Sequence, residues 1–381
     1  MSGERAGLYL HVPFCARICP YCDFAVRTGD GPRRRRYVDH LITEIHRHAG
    51  EGWQLDTIYL GGGTPSCLEP ADLERILEAV AASLALDPDT RVFLEVNPED
   101  VTPDMLRAWR RLGVHTLSLG IQALNPEGLA FLERLHSAED GCRAVRLARE
   151  AEFPTVSIDL IYGLPGQTPD AWQAEMDRAL ELAPDHVSCY QLTIHAGTRF
   201  GAAARRGTLL ELPEDAQADM FRITHRHMSA RGMPAYEVSQ FATSPAHHSR
   251  HNRKYWDHTP YLGLGPAAHS YRDRRRWWNL RKADAWQEAL DRGRPPVEAE
   301  EILDGPGLAL ECLMTGLRTC AGVDLETTRT LSGLDLQADN RELIERLCAE
   351  GLIEARGDRL IPTLDGLAVA DSLAPLFRLE P

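Results

Sequence analysis

Apolar residues along the first 240 positions follow two alternating rhythms. Short, nearly unbroken β-branched runs occupy Leu8 to Val12, Thr57 to Leu60, Val92 to Val96, Thr116 to Ile121, Val156 to Ile161 and Val187 to Leu192. Runs of this kind are expected of parallel strands buried on both faces. Between them lie amphipathic stretches, and three helix starts are readable. Thr102-Pro103, Asn125-Pro126 and Thr168-Pro169 each set an N-cap residue before a proline at the first helical position. Six strand-helix units in succession predict an α/β fold built on a parallel sheet or barrel. Eight units would close a TIM barrel, but the pattern breaks after Leu192. The expectation is a partial, open (β/α)6 TIM-like barrel over residues 1–240.

Residues 241–292 are irregular, rich in His, Arg and aromatics, and contain HNRKYW at His251 to Trp256. The stretch 293–306, with Pro295, Pro296 and Pro306, reads as a linker. Residues 307–381 show helical patterns followed by EGLIEARGDRLIPT, two short strands around a Gly-Asp turn. Helices followed by a small hairpin predict a winged-helix-like C-terminal domain.

Composition narrows the function classes. The 381 residues are 43% hydrophobic and 26% charged, with a formal net charge of -14. That charge repels polyphosphate, so nucleic acid is not an expected partner. The basic runs Arg33 to Arg36 and Arg272 to Arg276 read as solvated faces. No segment approaches the roughly 20 apolar residues of a membrane span. The opening MSGERAGLYL has no signal-peptide core. Nine cysteines without a secretory signal indicate a reducing compartment, so the expected location is the cytoplasm.

Three of those cysteines, Cys15, Cys19 and Cys22, fall in CARICPYC directly after the first strand. Parallel α/β folds place ligands in the loops at the C-terminal ends of their strands. A [4Fe-4S] cubane is normally held by four thiolates, and three leave one iron open. Zinc is the competing occupant, although it would want a fourth local ligand and the nearest, His11, precedes the loop. Other polar residues gather at strand ends: Glu95 in LEVNP, Gln122 in LGIQ, Arg134 in LERLH and Asp159 in IDLIYG. Four at successive strand ends point to one shared site, against the plainer reading that they satisfy one another at a barrel mouth. Gly61-Gly62-Gly63 in YLGGGTPS is by itself a tight turn, without the Gly-Lys-Ser/Thr ending of a phosphate loop.

The C-x3-C-x2-C spacing with an aromatic two residues on, at Phe24, resembles the radical S-adenosylmethionine (SAM) superfamily. The resemblance implies a [4Fe-4S] cluster on Cys15, Cys19 and Cys22, SAM on its open iron, and an electron donor to reduce it. It also implies SAM contacts from the glycine loop at Gly62, Gly63 and Thr64, from Glu95, Gln122, Arg134, Asp159 and Thr193, and from Tyr9 and Tyr21 flanking the cluster. Over nearly the whole chain the order Y-x-H-V-P-F-C, GGGTP, Gln122 and IDLIYGLPGQT is similar to one subgroup, the oxygen-independent coproporphyrinogen III oxidases and the HemW-type heme chaperones. The oxidases resemble C-x3-C-x2-C-x-C, whereas this chain has Phe24 at the fourth position. They also carry an extension ahead of the first strand, which here begins at Leu8.

HNRKYW matches H-N-x-x-Y-W of the heme chaperones. This implies a heme-binding protein that delivers heme to an acceptor protein, with His251 as a heme ligand and Arg250 and Arg253 pairing with propionates. His247, His248, His258 and His269 are near enough in sequence to substitute for His251. The alternative is a radical enzyme of the same subgroup, performing porphyrinogen decarboxylation or methyl transfer. Two departures stand out. Ala123 replaces a common Ser, and Glu133 replaces a common Gly, setting a carboxylate where it can compete with SAM for Arg134.

Overall fold

A computed structural model describes residues 5–380, so residues 1–4 of the opening segment and Pro381 lie outside it. Six parallel strands form its centre: β1 (Ala6–Val12), β2 (Gln54–Gly62), β3 (Ala85–Val96), β4 (Val114–Gln122), β5 (Thr155–Tyr162) and β6 (His186–Gln191). They are hydrogen-bonded in chain order, as right-handed strand-helix-strand units require. Side chains alternate across each strand. Leu8, Leu10 and Val12 of β1 are fully buried in the layer between sheet and helices, with Trp109 and Trp172. The opposite face carries Tyr59, Glu95, Ser118, Asp159 and Ser188, which makes a polar barrel interior. The three proline-marked helices begin where their caps predict. Thr102 Oγ1 accepts from Met105 N–H at 3.2 Å, Asn125 Oδ1 from Gly128 N–H at 2.6 Å, and Thr168 Oγ1 from Ala171 N–H at 3.2 Å.

The sheet does not stop at β6. The short β7 (Gln240–Ala242) pairs antiparallel with β6, and β8 (Tyr261–Leu264) pairs parallel with the other flank of β1. Three antiparallel strands follow, β9 (His269–Arg272), β10 (Arg275–Asn279) and β11 (Val297–Ile302), giving eleven in all. Residues 241–292 are therefore part of the sheet and not an irregular appendage. The stretch read as a linker holds β11, whose sequence VEAEEI is almost wholly exposed. Charged side chains on an edge strand prevent further pairing, and they also remove the apolar alternation that marks a strand. The basic run Arg272 to Arg276 is taken up largely by this edge: Arg275 pairs with Glu300, and Arg276 with Glu301 and Glu311.

The C-terminal domain has its own core of Leu313, Leu317, Leu336, Leu347, Ile353 and Leu360. Its helices Gly305–Gly316, Leu325–Ser332 and Arg341–Ala349 are joined by a three-stranded sheet of β12 (Val323–Asp324), β13 (Ile353–Arg356) and β14 (Arg359–Pro362), the expected winged-helix-like order. No helix among the described residues is long and apolar enough to cross a membrane.

Candidate functional site

A cavity of about 420 Å³ opens at the C-terminal ends of the parallel strands and runs down into the barrel. Cys15, Cys19, Tyr21, Cys22, Gly62, Gly63, Thr64, Glu95, Gln122, Arg134, Asp159 and Thr193 all line it. Of the sequence-predicted site residues, only Tyr9 and His251 are not on its wall.

The cysteine loop is held by its backbone. Cys15 N–H donates to Arg27 O at 3.0 Å, and Cys22 N–H donates to Cys19 O at 3.3 Å, a turn that presents three thiols on one side. Burial pushes the Cys15 thiol up to about 11 and raises Cys22. Thr64 and the Arg134 guanidinium act in the opposite sense on Cys15. Among the described residues no three His, Cys, Asp or Glu side chains converge on a single-ion position. Three thiols on one cavity wall match the three protein ligands of a [4Fe-4S] cluster with one open iron.

The glycine loop fits a close ligand. A Cβ on Gly63 would lie 2.7 Å from Phe14 O and 3.0 Å from Cys15 Sγ, so only glycine lets β2 end against the cysteine loop. Gly62 has φ 110°, and its N–H donates to Glu95 Oε2 at 3.0 Å. Tyr59 hydroxyl donates to the other Glu95 oxygen at 2.8 Å. Burial raises Glu95 to about 7, with the nearby Asp159 adding to the shift. Asp159 is raised to about 6 by burial and accepts from Ser118 Oγ at 3.1 Å.

Arg134 lies across the floor of the mouth. It donates to Cys19 Sγ at 3.4 Å, to Asn97 Oδ1 at 2.7 Å and to Gly120 O at 3.1 Å. Its Nε is buried without a hydrogen-bond partner among the described residues, so this guanidinium keeps a donor for a carboxylate. Glu133 does not compete for it: the residue takes φ 52° and forms a two-pronged ion pair with Arg199, at 3.0 and 2.8 Å. Arg199 also donates to Ile18 O at 3.1 Å, which straps the cysteine loop to the next layer. Gln122, with φ 66°, ends β4 in a left-handed conformation that few non-glycine residues adopt. Sequence reasoning missed Asn97, Ser118, Tyr59 and Arg199. Asn97 alone had a local signal, since it stands two residues after Glu95 at the same strand end.

Tyr9 and His251 sit elsewhere. Tyr9 lies three residues before the end of β1 and points into the barrel below the mouth, sharing a 3.0 Å hydrogen bond with His11 Nδ1. His251 belongs to the helix Arg250–Trp256, which plugs the N-terminal end of the barrel. Its Nδ1 shares a 2.9 Å hydrogen bond with Thr57 Oγ1, its Nε2 one of 2.9 Å with Tyr255 hydroxyl, and its ring stacks on Tyr59. Burial lowers its pKa to about 3 and leaves it 1% exposed. Both ring nitrogens are thus engaged by neighbouring hydroxyls, away from the cysteine cavity. Arg250 also turns away, donating to Asp89 O at 3.3 Å.

Residues 9–179 match the radical SAM superfamily and residues 303–369 the HemN C-terminal domain. With the three thiols and the strand order described, the chain is a radical SAM protein. Heme chaperone HemW of Mycobacterium tuberculosis is 35% identical over 378 residues, covering 98% of this chain and 95% of its own. Heme chaperone HemW of Escherichia coli is 36% identical over 266 residues, 69% of each chain. The mitochondrial radical S-adenosyl methionine domain-containing protein 1 of Mus musculus is 35% identical, covering 98% of this chain and 87% of its own. The chain belongs to the HemW family. Its fold is that of Escherichia coli coproporphyrinogen III oxidase, with a TM-score of 0.83 at 23% identity over 98% of this chain and 90% of that one.

Proposed function

We propose that this protein is a cytoplasmic heme chaperone that binds heme and passes it to an acceptor protein, and that it carries a [4Fe-4S] cluster with SAM beside it. Near-full-length likeness to proteins named heme chaperone HemW carries the reading. Cys15, Cys19 and Cys22 hold the cluster. Arg134 offers its unpaired Nε to the SAM carboxylate, and Glu95 and Asp159 face the cationic or hydroxylated parts of SAM. The glycine loop leaves room for the methionine end. When bound, the cluster supplies one electron, received from an outside donor, to the sulfonium of SAM. The decisive experiment is anaerobic reconstitution followed by optical titration with heme and with SAM, and then transfer of bound heme to an apo-acceptor. Absence of heme binding in the reconstituted protein would overturn the reading.

SAM affinity should depend on pH. Glu95 at about 7 and Asp159 at about 6 are partly protonated in mild acid, and only the ionised carboxylates attract an ammonium. Affinity is therefore expected to rise as pH climbs from 5.5 through 7.5 and then level off. Calorimetry across that range checks this; a flat profile removes both carboxylates from the SAM site.

The alternative, a radical porphyrinogen decarboxylase, draws on the shared fold. Against it stands Phe24, 67% exposed on the cavity rim where the oxidase-like pattern has a fourth cysteine. Incubation with coproporphyrinogen III, SAM and dithionite under anaerobic conditions is expected to give no protoporphyrinogen. Product at enzymatic rates would reinstate the enzyme.

A further inference from the structure

The basic run Arg33 to Arg36 lies at the start of the helix Gly31–Arg47, where cations are out of place. A helix N-terminus carries partial positive charge, and acidic side chains are favoured there. Other helices around the barrel obey this rule: Asp72, Asp104, Glu139 and Asp170 each stand in the first turn of theirs. The helix Gly31–Arg47 has no acidic residue in its first turn, and Arg33 and Arg34 fall in it. This helix also packs beside the cysteine loop. Phe14, directly before Cys15, meets Tyr37 edge-on with ring centroids 5.4 Å apart, and Arg34 Nη1 donates to Cys67 O at 2.8 Å. Arg36 is neutralised by Asp291 at 3.1 Å and Arg27 by Asp284 at 2.5 Å. Arg33 and Arg35 are exposed and make no ion pair among the described residues. Nor does Arg17, exposed on the cavity wall between Cys15 and Cys19. Ile18 and Phe24, 39% and 67% exposed, stand on the same wall. A chain with a net charge of -14 thus keeps unpaired cations beside exposed apolar side chains, next to three half-buried thiols.

We propose that this patch, Arg17, Arg33 and Arg35 around Ile18 and Phe24, is the docking surface for an acidic one-electron carrier protein that reduces the cluster. The inference rests on the reading that Cys15, Cys19 and Cys22 hold a [4Fe-4S] cluster. Such a cluster needs an outside electron, and the cysteine loop is the wall between it and solvent: Ala16, Arg17 and Ile18 are all exposed. Arginines set against their helix dipole weaken the fold slightly, yet they draw an acidic surface from a distance and speed its encounter. The apolar pair supplies the desolvated centre of an interface, with charge around it. With a flavin carrier, the hydroquinone anion gives one electron to the oxidised cluster and becomes the neutral semiquinone, and no proton moves.

The test is stopped-flow reduction of the anaerobically reconstituted, full-length protein, read as bleaching of the cluster's visible absorbance. Fully reduced flavodoxin is the acidic probe, and reduced methyl viologen, small and cationic, is the control. The double variant Arg33→Glu, Arg35→Glu is expected to slow reduction by flavodoxin roughly tenfold or more and to flatten its dependence on ionic strength. The viologen rate should not fall. Because glutamate suits a helix N-terminus, the thermal transition of the variant should hold or rise, which separates lost docking from misfolding. Equal flavodoxin rates in wild type and variant, or no reduction by flavodoxin where viologen succeeds, overturns the docking surface and leaves the cluster reading intact. Failure of the wild type to take up cluster iron overturns both. Pelleting with phosphatidylglycerol vesicles covers the other partner that suits a basic, apolar patch. Arginine-dependent pelleting with unchanged flavodoxin rates would assign the patch to a lipid surface and overturn the proposal.

Discussion

Replacing Cys15, Cys19 and Cys22 together by alanine is expected to strip the reconstituted protein of all cluster iron and its brown colour. Replacing the other six cysteines should leave about four irons per chain. The thiols of the triad share one cavity wall, whereas Cys142, Cys189, Cys312, Cys320 and Cys348 are dispersed singly through the described chain. Buried lone cysteines such as Cys142, Cys189 and Cys312 pack as small hydrophobes, and burial holds Cys312 up at about 11. Cys67 is the informative control. Its Sγ lies 4.0 Å from Phe14 O, under the cysteine loop, and burial raises it to about 12. Unlike the triad, it is not on the wall of the cavity. Cys67→Ala should therefore keep its iron and its electron paramagnetic resonance signal. Loss of iron there, or four irons retained in the triple variant, would reassign the cluster.

Glu44→Ala should destabilise the fold by on the order of 3–5 kcal/mol, since each buried donor left unsatisfied costs roughly 1–3 kcal/mol. The carboxylate is 1% exposed. It accepts from Gly265 N–H at 2.7 Å, from Asn279 Nδ2 at 2.6 Å and from Trp286 Nε1 at 3.0 Å. One side chain on the first helix thus ties down the loop after β8, the end of β10 and the following helix. Alanine would leave the Gly265 and Trp286 N–H groups unpaired and take from Asn279 Nδ2 one of its two acceptors, the other being Gly265 O at 2.9 Å. Burial raises Glu44 to about 7, above its unfolded value of 4.5. Between those values the folded state binds the extra proton, so the contribution of Glu44 is full below pH 4.5 and declines as pH rises through 7. The gap between wild type and variant should be wider at pH 5.5 than at pH 8. Urea denaturation at the two values measures it, and equal stabilities at both would show that the network carries no free energy.

The six central strands were legible because burial on both faces leaves a strand little choice but continuous Val, Ile and Leu. The same logic hid β7 to β11, which are short, lie at the flanks and spend their positions on His, Arg, Trp and Glu. Pro295 and Pro296 punctuate the entry to an edge strand, and a proline pair reads identically at a linker. The cysteine triad and glycine loop were legible because their geometry is local: three thiols in one turn, and a backbone with no room for Cβ. Arg134 and Asp159 are the non-local cases that chain order could still reach, since each strand end must face the same mouth. Tyr9 and His251 show where that reasoning stops. A motif says which residues are distinctive, not which end of a barrel they occupy: His251 packs on Thr57 and Tyr59 and stays off the wall of the cysteine cavity. Glu133 looked like a competitor for Arg134 only because adjacent residues were assumed to face the same way. Its left-handed backbone turns it toward Arg199, and no sequence pattern announces that partner.

Strand β1 lies inside the sheet, with β2 on one side and β8 on the other. Of the eleven strands it is the first to be made, yet its second neighbour follows about 250 residues later. At the usual 5–20 residues per second that is a delay of roughly 10 to 50 s. The cysteine loop has the same dependence: its backbone is clamped by Arg199 on Ile18 O at 3.1 Å and by Arg281 on Asp23 O at 2.7 Å. Throughout synthesis of the barrel the three thiols are thus tethered to a strand with one open edge and to a loop without its clamps. Iron and sulfide delivered during that interval would meet flexible thiols, open to oxidation and to scrambled ligation. The native loop geometry is complete only once residues near 281 have emerged and Arg281 can reach Asp23 O.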